Sequence, residues 1–221
     1  MITLLLTLLM AHADGSQIIR GTTQSRQVIR RIQSPKKTFV IEIVELAREE
    51  RYERMFEIYV ISNHDKRVRN RLQPDHIHGK SNMDETGFEG DFYISPDEKW
   101  IFRVAKYVHT VSIASLYHEE RDMDFQLATP LRFDEAAWRY YAGTIHMKRS
   151  QIPSIDRDAR MIHYCYWSAD SRRLIFDLYA SRGLHREKTR DWNGCFQTRS
   201  RTFREATRDE MDRAMRVENR H

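Results

Sequence analysis

The chain has 221 residues, of which 40% are hydrophobic and 11% aromatic. A chain of this length and composition can bury a sizeable core as one globular domain, which excludes wholesale disorder. The formal net charge is +5, but the 37 basic residues are balanced by 32 acidic ones scattered through the chain. Because no groove-reading motif accompanies this charge, we do not expect a nucleic-acid-binding protein.

The first thirteen residues resemble a secretory signal. Residues 2–10 are apolar apart from two threonines, and the following Ala11-His12-Ala13 places small residues where a signal peptidase inspects them. The apolar run is too short to span a bilayer, and no later segment approaches transmembrane length. We therefore expect cleavage after Ala13 and export of residues 14–221, as one β-rich domain, to the periplasm or the extracellular space. No basic residue precedes the run, so a buried first strand or helix of a cytosolic protein is the alternative.

The rest of the chain is patterned mainly as β-strands. Residues 14–37 are polar and weakly patterned, as an extended arm or one short strand would be. Beyond them, β-branched and aromatic residues recur in short runs bounded by turn residues. The predicted strands are residues 38–46, 55–62, 91–95, 99–106, 112–118, 123–128, 161–168, 172–179 and 194–199. They predict a mainly β fold of antiparallel hairpins and meanders, either sandwich-like or resembling part of a propeller.

Two helices interrupt this pattern. Residues 130–142 carry apolar side chains at helical spacing, and Gly143 suits the end of a helix. Residues 207–218 begin with Thr207 and Glu210, which have the spacing of a capping box. We predict one interior helix and one C-terminal helix.

One hairpin motif occurs twice. Residues 93–102 read YISPDEKWIF and residues 166–175 read YWSADSRRLI. In both, Ser and Asp stand where their side chains can bind backbone N–H groups of a tight turn, and apolar residues flank the turn. We expect each copy to form a structural turn between two strands.

These two segments resemble the strand-turn-strand signature of TolB-type and WD40-like β-propeller blades, which reads roughly S-P-D-G-K before a bulky apolar strand. The resemblance implies a blade hairpin and no particular chemistry. Both copies depart from it at the glycine, which is replaced by Glu98 and Ser171. Ser95 and Ser168 lie 73 positions apart, whereas a blade takes about 40–45 residues and a propeller has at least four blades, so we do not expect a complete propeller. The order of SPDEKWIF, a helix bearing AAW, and WSADSRRL is also similar to a group of uncharacterised exported bacterial proteins.

The candidate metal ligands are His76 and His78. Two positions apart in an extended segment, they would share a face, as a pair of ligands must. Three nearby carboxylates could add an oxygen: Asp75, Asp84 and Glu85. No HExxH or paired-cysteine spacing accompanies the histidines, and exposure in the polar loop of residues 63–90 is the simpler interpretation.

Other chemical signals are weak. The run His118-Glu119-Glu120 could serve acid–base chemistry, but its position in a turn favours a solvated run of charges. His163 is expected to be a semi-buried, hydrogen-bonded imidazole. No nucleophile elbow, phosphate-binding loop or cofactor motif occurs, so we assign no catalytic residue and expect no cofactor. Aromatic residues from the strands and the interior helix could line a groove, but their spacing is more typical of a core.

Whether the two cysteines can form a disulfide depends on the order of the strands. If residues 161–168, 172–179 and 194–199 form a simple meander, Cys165 and Cys195 lie two strand spacings apart, about 9–10 Å. A disulfide needs Cα atoms within about 7 Å, so a meander predicts two free thiols. A disulfide would require Cys195 to lie in a loop over the sheet, or the third strand to pair elsewhere.

These observations favour an exported, non-catalytic module that binds a protein or a small ligand in the cell envelope. One alternative is a small exported hydrolase, metal-assisted, that uses residues 63–90. Another is a basic module for an anionic polymer or surface, based on the arginine-rich stretches at residues 182–190 and 199–216.

Overall fold

The computed structural model describes residues 26–46, 55–72, 90–108, 111–129, 132–148, 152, 159–182 and 187–218. Within these ranges the chain is mainly β, with helices α1 (Phe133–Thr144) and α2 (Arg208–Glu218), which confirms the predicted fold class. The strands are β1 (Arg26–Gln33), β2 (Phe39–Leu46), β3 (Met55–Ser62), β4 (Arg69–Arg71), β5 (Gly90–Ile94), β6 (Trp100–Val108), β7 (Val111–Arg121), β8 (Asp124–Leu127), β9 (Ala159–Trp167), β10 (Arg173–Arg182), β11 (Glu187–Gln197) and β12 (Thr202–Glu205).

The strands form three antiparallel meanders of four strands each. Sheet I contains β1–β4, sheet II contains β5–β8 and sheet III contains β9–β12, in each case in chain order. Sheets II and III are joined edge to edge where Val111 of β7 pairs in parallel with Arg160 of β9. Because of this pairing, β5–β12 form one continuous eight-stranded sheet, and β1–β4 form a separate four-stranded sheet.

Side-chain contacts also connect the first strands of the three sheets. The Trp167 Nε1–H of β9 donates to the carbonyl oxygen of Tyr93 in β5 at 2.9 Å. The guanidinium of Arg30 in β1 donates to the carbonyl oxygen of Gly90 in β5 at 3.2 Å. The first strands of neighbouring sheets, β1 with β5 and β5 with β9, are therefore in contact.

Two main apolar clusters hold the sheets together. Sheets I and II share one cluster, in which Phe39 and Val60 of sheet I meet Ile101 and Tyr117 of sheet II, all fully buried. Sheets II and III share a larger cluster with α1. Burial of each such side chain stabilises the fold by about 1.5–3 kcal/mol, so these contacts dominate the stability.

Helix α1 inserts an aromatic side chain between sheets II and III. The ring of Phe133 packs edge-on against Phe102, Phe176 and Phe196, with centroid distances of 4.8, 5.0 and 5.6 Å. Gly194 of β11 makes room for this cluster, because a Cβ there would lie 2.4 Å from the Phe176 ring.

An ion triad anchors the first turn of α1. Asp134 accepts from the guanidiniums of Arg160 at 2.5 Å and Arg132 at 3.3 Å, and from the backbone N–H of Ala114 at 3.2 Å. All three charged side chains are buried. The triad ties α1 to β7 and β9, the two strands that join sheets II and III.

Helix α2 covers the outer face of sheet III. Met211 and Ala214 pack on Ile175 of β10 and Cys195 of β11. Thr207 and Glu210 form the predicted capping box, with the Glu210 N–H donating to the Thr207 hydroxyl at 3.3 Å and the Thr207 N–H donating to the Glu210 carboxylate at 2.9 Å. No helix within the described residues is long and apolar enough to cross a membrane.

The element bounds differ from expectation in several places, among them β11, which begins at Glu187 instead of residue 194. The weakly patterned arm contains β1, an exposed strand, which agrees with the second of its two interpretations, whereas β12 was not predicted. The predicted loop at residues 63–90 contains β4 and the first residue of β5, while residues 73–89 lie outside the described part. The strands β4 and β12 escaped prediction because they are only three and four residues long, so they lack a buried alternating face.

The predicted meander of the cysteine strands is confirmed. Cys195 lies opposite Ile175, and Ile175 lies opposite Tyr166, the neighbour of Cys165. The two cysteines also belong to clusters on opposite faces of sheet III, and both are free thiols.

Candidate anion-binding site

The first hairpin of each sheet closes with the same turn, begun by Ser34, Ser95 or Ser168. We call these turns I, II and III and count positions from the serine. In each, the serine carbonyl accepts the N–H of position 4, at 3.0, 2.9 and 2.8 Å respectively. The serine hydroxyl accepts the N–H of position 6, at 3.1, 3.0 and 3.0 Å.

The two predicted turns are confirmed. Sequence reasoning missed turn I because Lys36 stands where the other turns have aspartate.

In turns II and III the aspartate at position 3 organises the loop. Asp97 accepts from the Ser95 hydroxyl at 2.5 Å and from the Lys99 N–H at 3.0 Å. Asp170 accepts from the Ser168 hydroxyl at 2.6 Å and from the Arg172 N–H at 3.2 Å. These are the side-chain to backbone bonds that favour Asp in tight turns.

Position 4 is where both hairpin motifs lack the glycine of the blade signature. Its residues are Lys37, Glu98 and Ser171, with φ of 62°, 67° and 58°. This left-handed conformation costs a non-glycine residue about 1–2 kcal/mol. The side chains of Glu98 and Ser171 offset that cost by reaching the turn of the preceding sheet.

The contacts between successive turns are equivalent. The Glu98 carboxylate accepts the N–H of Lys36 at 2.5 Å, and the Ser171 hydroxyl accepts the N–H of Asp97 at 2.8 Å. In both cases the acceptor from position 4 binds the N–H of position 3 in the turn before. The three turns therefore form a row in which each turn is held by the next.

Glu98 also replaces the aspartate that turn I lacks. Its carboxylate accepts the Thr38 hydroxyl in addition to the Lys36 N–H. Burial opposes ionisation of this carboxylate, but bonds from Thr38, Ser34 and Lys36 outweigh it and hold the pKa of Glu98 below its ordinary value.

Turn III ends the row, and α2 lies beside it in place of a further sheet. Glu210 of α2 accepts from Arg173 at 3.0 Å and holds Arg204 with two bonds, at 2.7 and 2.9 Å. The bonds from Arg204, with help from Thr207, lower the pKa of Glu210 to about 2. Glu210 is thus charged at neutral pH and orients two guanidiniums.

Two adjoining clefts open around these residues; together we call them the arginine groove. One cleft, of about 280 Å³, lies between turn III and α2 and is lined by Asp170, Arg173, Glu210 and Arg213. The other, of about 620 Å³, lies between turn III and the β11–β12 turn. Its charged lining comprises Asp170, Arg172, Arg173, Arg199 and Arg204.

The groove carries an excess of positive charge. Five arginines line it against two carboxylates, and one of these, Glu210, already pairs with Arg173 and Arg204. Within the part of the chain that the structure describes, Arg172, Arg199 and Arg213 make no ion pair. Guanidiniums present planar forks of donors that match carboxylate and phosphate oxygens, so this lining suits an anion.

His76 and His78 lie outside the described residues, as do the three nearby carboxylates. Among the described residues no group of three or more His, Cys, Asp or Glu could hold a metal ion.

The acid–base candidate forms a surface cluster. His118 Nδ1 lies 3.1 Å from the Glu120 carboxylate, and the His118 ring packs 4.3 Å from that of Trp100. Arg201 approaches Glu120 at 3.6 Å, and Glu119 pairs with Lys99. His163, expected to be semi-buried, is exposed and lies beside Tyr179.

The second arginine-rich stretch contributes directly to the groove, through Arg199, Arg204 and Arg213. The side chains of residues 182–190 are outside the described part. Sequence reasoning missed Arg172 and Arg173, although the adjacent pair at the end of turn III is a visible signal. The chain matches no protein-family model and no curated protein.

Proposed function

We propose that the protein is an exported, non-catalytic module that binds an anionic ligand in the arginine groove. The observation that carries the proposal is the charge of that groove, where five arginines meet two carboxylates. Partly enclosed clefts with uncompensated guanidiniums attract anions and strengthen their hydrogen bonds.

The groove is also preorganised. Glu210 holds Arg173 and Arg204 before any ligand arrives, so less side-chain entropy is lost on binding. Ser168 and Asp170 are engaged in the turn, and Glu210 is engaged with arginines. These engagements favour a binding role over proton transfer or nucleophilic attack.

The binding proposal is tested with a fluorescently labelled deca-glutamate peptide and fluorescence anisotropy. The double variant Arg199→Glu/Arg213→Glu should bind at least about tenfold more weakly, because both changes reverse a charge in the groove. Lys66→Glu/Arg67→Glu is the matched control: it reverses two exposed charges near β4, far along the chain from the groove. Equal losses in both variants would show non-specific attraction, and no binding by the unmodified protein would reject the groove as an anion site.

Export rests on the first thirteen residues, which precede the described part. The mature protein from its native host should begin at Asp14, as mass spectrometry of its N-terminal peptide would show. An intact N-terminus in the cytosolic fraction would contradict export. The resemblance to TolB-type and WD40-like blades stays a prediction.

A further inference from the structure

We propose that the backbone N–H of Asp170, flanked by Arg172 and Arg213, is a subsite for a carboxylate. The inference rests on the proposed function and places one group of the ligand at one atom of the protein. It follows from what the equivalent atoms of turns I and II already bind.

The chain provides two internal precedents. The N–H of position 3 is bound by the Glu98 carboxylate in turn I and by the Ser171 hydroxyl in turn II. Both acceptors come from position 4 of the following turn. The N–H at position 3 is therefore an atom that this turn geometry directs outward, toward whatever lies next in the row.

In turn III the same atom meets no acceptor among the described residues. No further turn follows, because α2 covers the outer face of sheet III. The smaller cleft opens between turn III and α2, and Ser168, Ala169 and Asp170 form its wall on the turn side. The cleft thus lies where the acceptor from a following turn would enter.

The charge around each turn determines which kind of acceptor the N–H of position 3 binds. Around Asp97 the neighbouring Lys99 is neutralised by Glu119, and the acceptor there is a neutral hydroxyl. Around Asp170, in contrast, Arg172 and Arg213 have no ion-pair partner within the described residues. Even with the carboxylates of Asp170 and Glu210 counted, the five arginines of the groove leave a positive excess, which favours an anion over a neutral hydroxyl.

The donors also match a carboxylate. In turn I the second oxygen of Glu98 is bound by Thr38 at position 5. In turn III position 5 is Arg172, a longer and charged donor, which lines the larger cleft, whereas Arg213 lines the smaller cleft and Asp170 lines both. The carboxylate of Asp170 does not fill the site itself, because it is turned back into the loop and accepts from Ser168 and Arg172 N–H.

The test follows the backbone amide signals of Lys36, Asp97 and Asp170 by ¹H–¹⁵N NMR during titration. Two carboxylate probes, glutarate and a deca-glutamate peptide, distinguish a small acid from an acidic peptide as the source. N-acetylserinamide supplies a hydroxyl without charge. The Lys36 and Asp97 amides are matched controls, because they have the same turn position but are already occupied.

We expect a saturable downfield shift of the Asp170 amide with at least one carboxylate probe, and little change at Lys36 and Asp97. In Arg172→Thr, which copies turn I, the carboxylate should bind about tenfold more weakly, since a charged donor is lost. Normal Lys36 and Asp97 signals in that variant show that it folds.

Three outcomes would overturn the inference. If the arginine side-chain signals of the groove respond but the Asp170 amide does not, the groove binds anions and the subsite is wrong. If N-acetylserinamide shifts the Asp170 amide as strongly as the carboxylates do, charge does not select the ligand. If neither the arginines nor Asp170 respond to carboxylates, both this inference and the proposed function fail.

Discussion

At the scale of single residues, turn position 4 shows how a strained backbone is retained. Glu98 and Ser171 occupy a left-handed conformation that glycine would adopt without cost, yet each side chain binds the turn of the preceding sheet. The residue type at this position therefore links two sheets instead of merely permitting a turn.

This interpretation predicts opposite effects of the same substitution at equivalent positions. Glu98→Gly relieves the backbone strain but removes the bonds to Lys36 and Thr38, so it should lower the free energy of unfolding by about 1–2 kcal/mol. Lys37→Gly relieves the same strain at an exposed position whose side chain makes no bond to a described residue, and stability should hold or rise by up to about 1 kcal/mol. Urea denaturation of both variants measures the difference. Stabilisation by Glu98→Gly would refute the link between the sheets.

At the scale of elements, buried charges dock the two helices. Asp134 compensates two buried arginines at the start of α1. Removal of one partner from a buried ion group leaves the others uncompensated, and this costs far more than the loss of a surface pair.

Asp134→Ala should therefore lower the free energy of unfolding by about 3–5 kcal/mol. The adjacent Glu135→Ala is its matched control, since it removes a solvent-accessible pair with Arg139 and should cost less than about 1 kcal/mol. Chemical denaturation compares the two variants. Similar losses would mean that the triad contributes no more than a surface pair.

The anchor of α2 should respond to pH. Because the pKa of Glu210 is lowered from 4.5 to about 2 in the folded protein, its contribution is fully present above pH 4.5. That contribution is lost as the pH falls toward 2 and Glu210 becomes protonated. The stability difference between the unmodified protein and Glu210→Gln, measured by urea denaturation, should be constant above about pH 5 and shrink below pH 4.5. A difference that is independent of pH down to 2.5 would contradict the ion pairs.

At the scale of the whole molecule, sheet order determines cysteine chemistry. Cys165 is partly exposed, whereas Cys195 is buried under α2, and burial raises the pKa of the Cys195 thiol to about 11. A thiol reacts as its thiolate, so both access and ionisation protect Cys195.

Iodoacetamide should label Cys165 first in the native protein and both cysteines after unfolding without reductant. Peptide mass spectrometry resolves the two sites. Loss of label at both sites in the unfolded, unreduced protein would reveal a disulfide and would overturn the order β9-β10-β11. Equal native labelling would instead show that α2 does not cover Cys195.

The sequence by itself determined the elements whose signal is local. Alternation of β-branched residues located most strands, and the Thr207–Glu210 spacing located the start of α2. The Ser-x-Asp pattern located turns II and III. Each signal depends on backbone sterics and on hydrogen bonds within about six residues, so it can be read without knowing the neighbours.

Turn I and the arginine groove depend on the tertiary structure and could not be predicted from the sequence. Turn I lacks its own aspartate and is completed by Glu98, about sixty residues away along the chain. The arginine groove requires Arg173 and Glu210 to meet, and they are 37 positions apart. No periodic pattern encodes such meetings, because they depend on how sheets stack and on where α2 docks. Those arrangements are set by packing of whole apolar faces rather than by any residue's own preference.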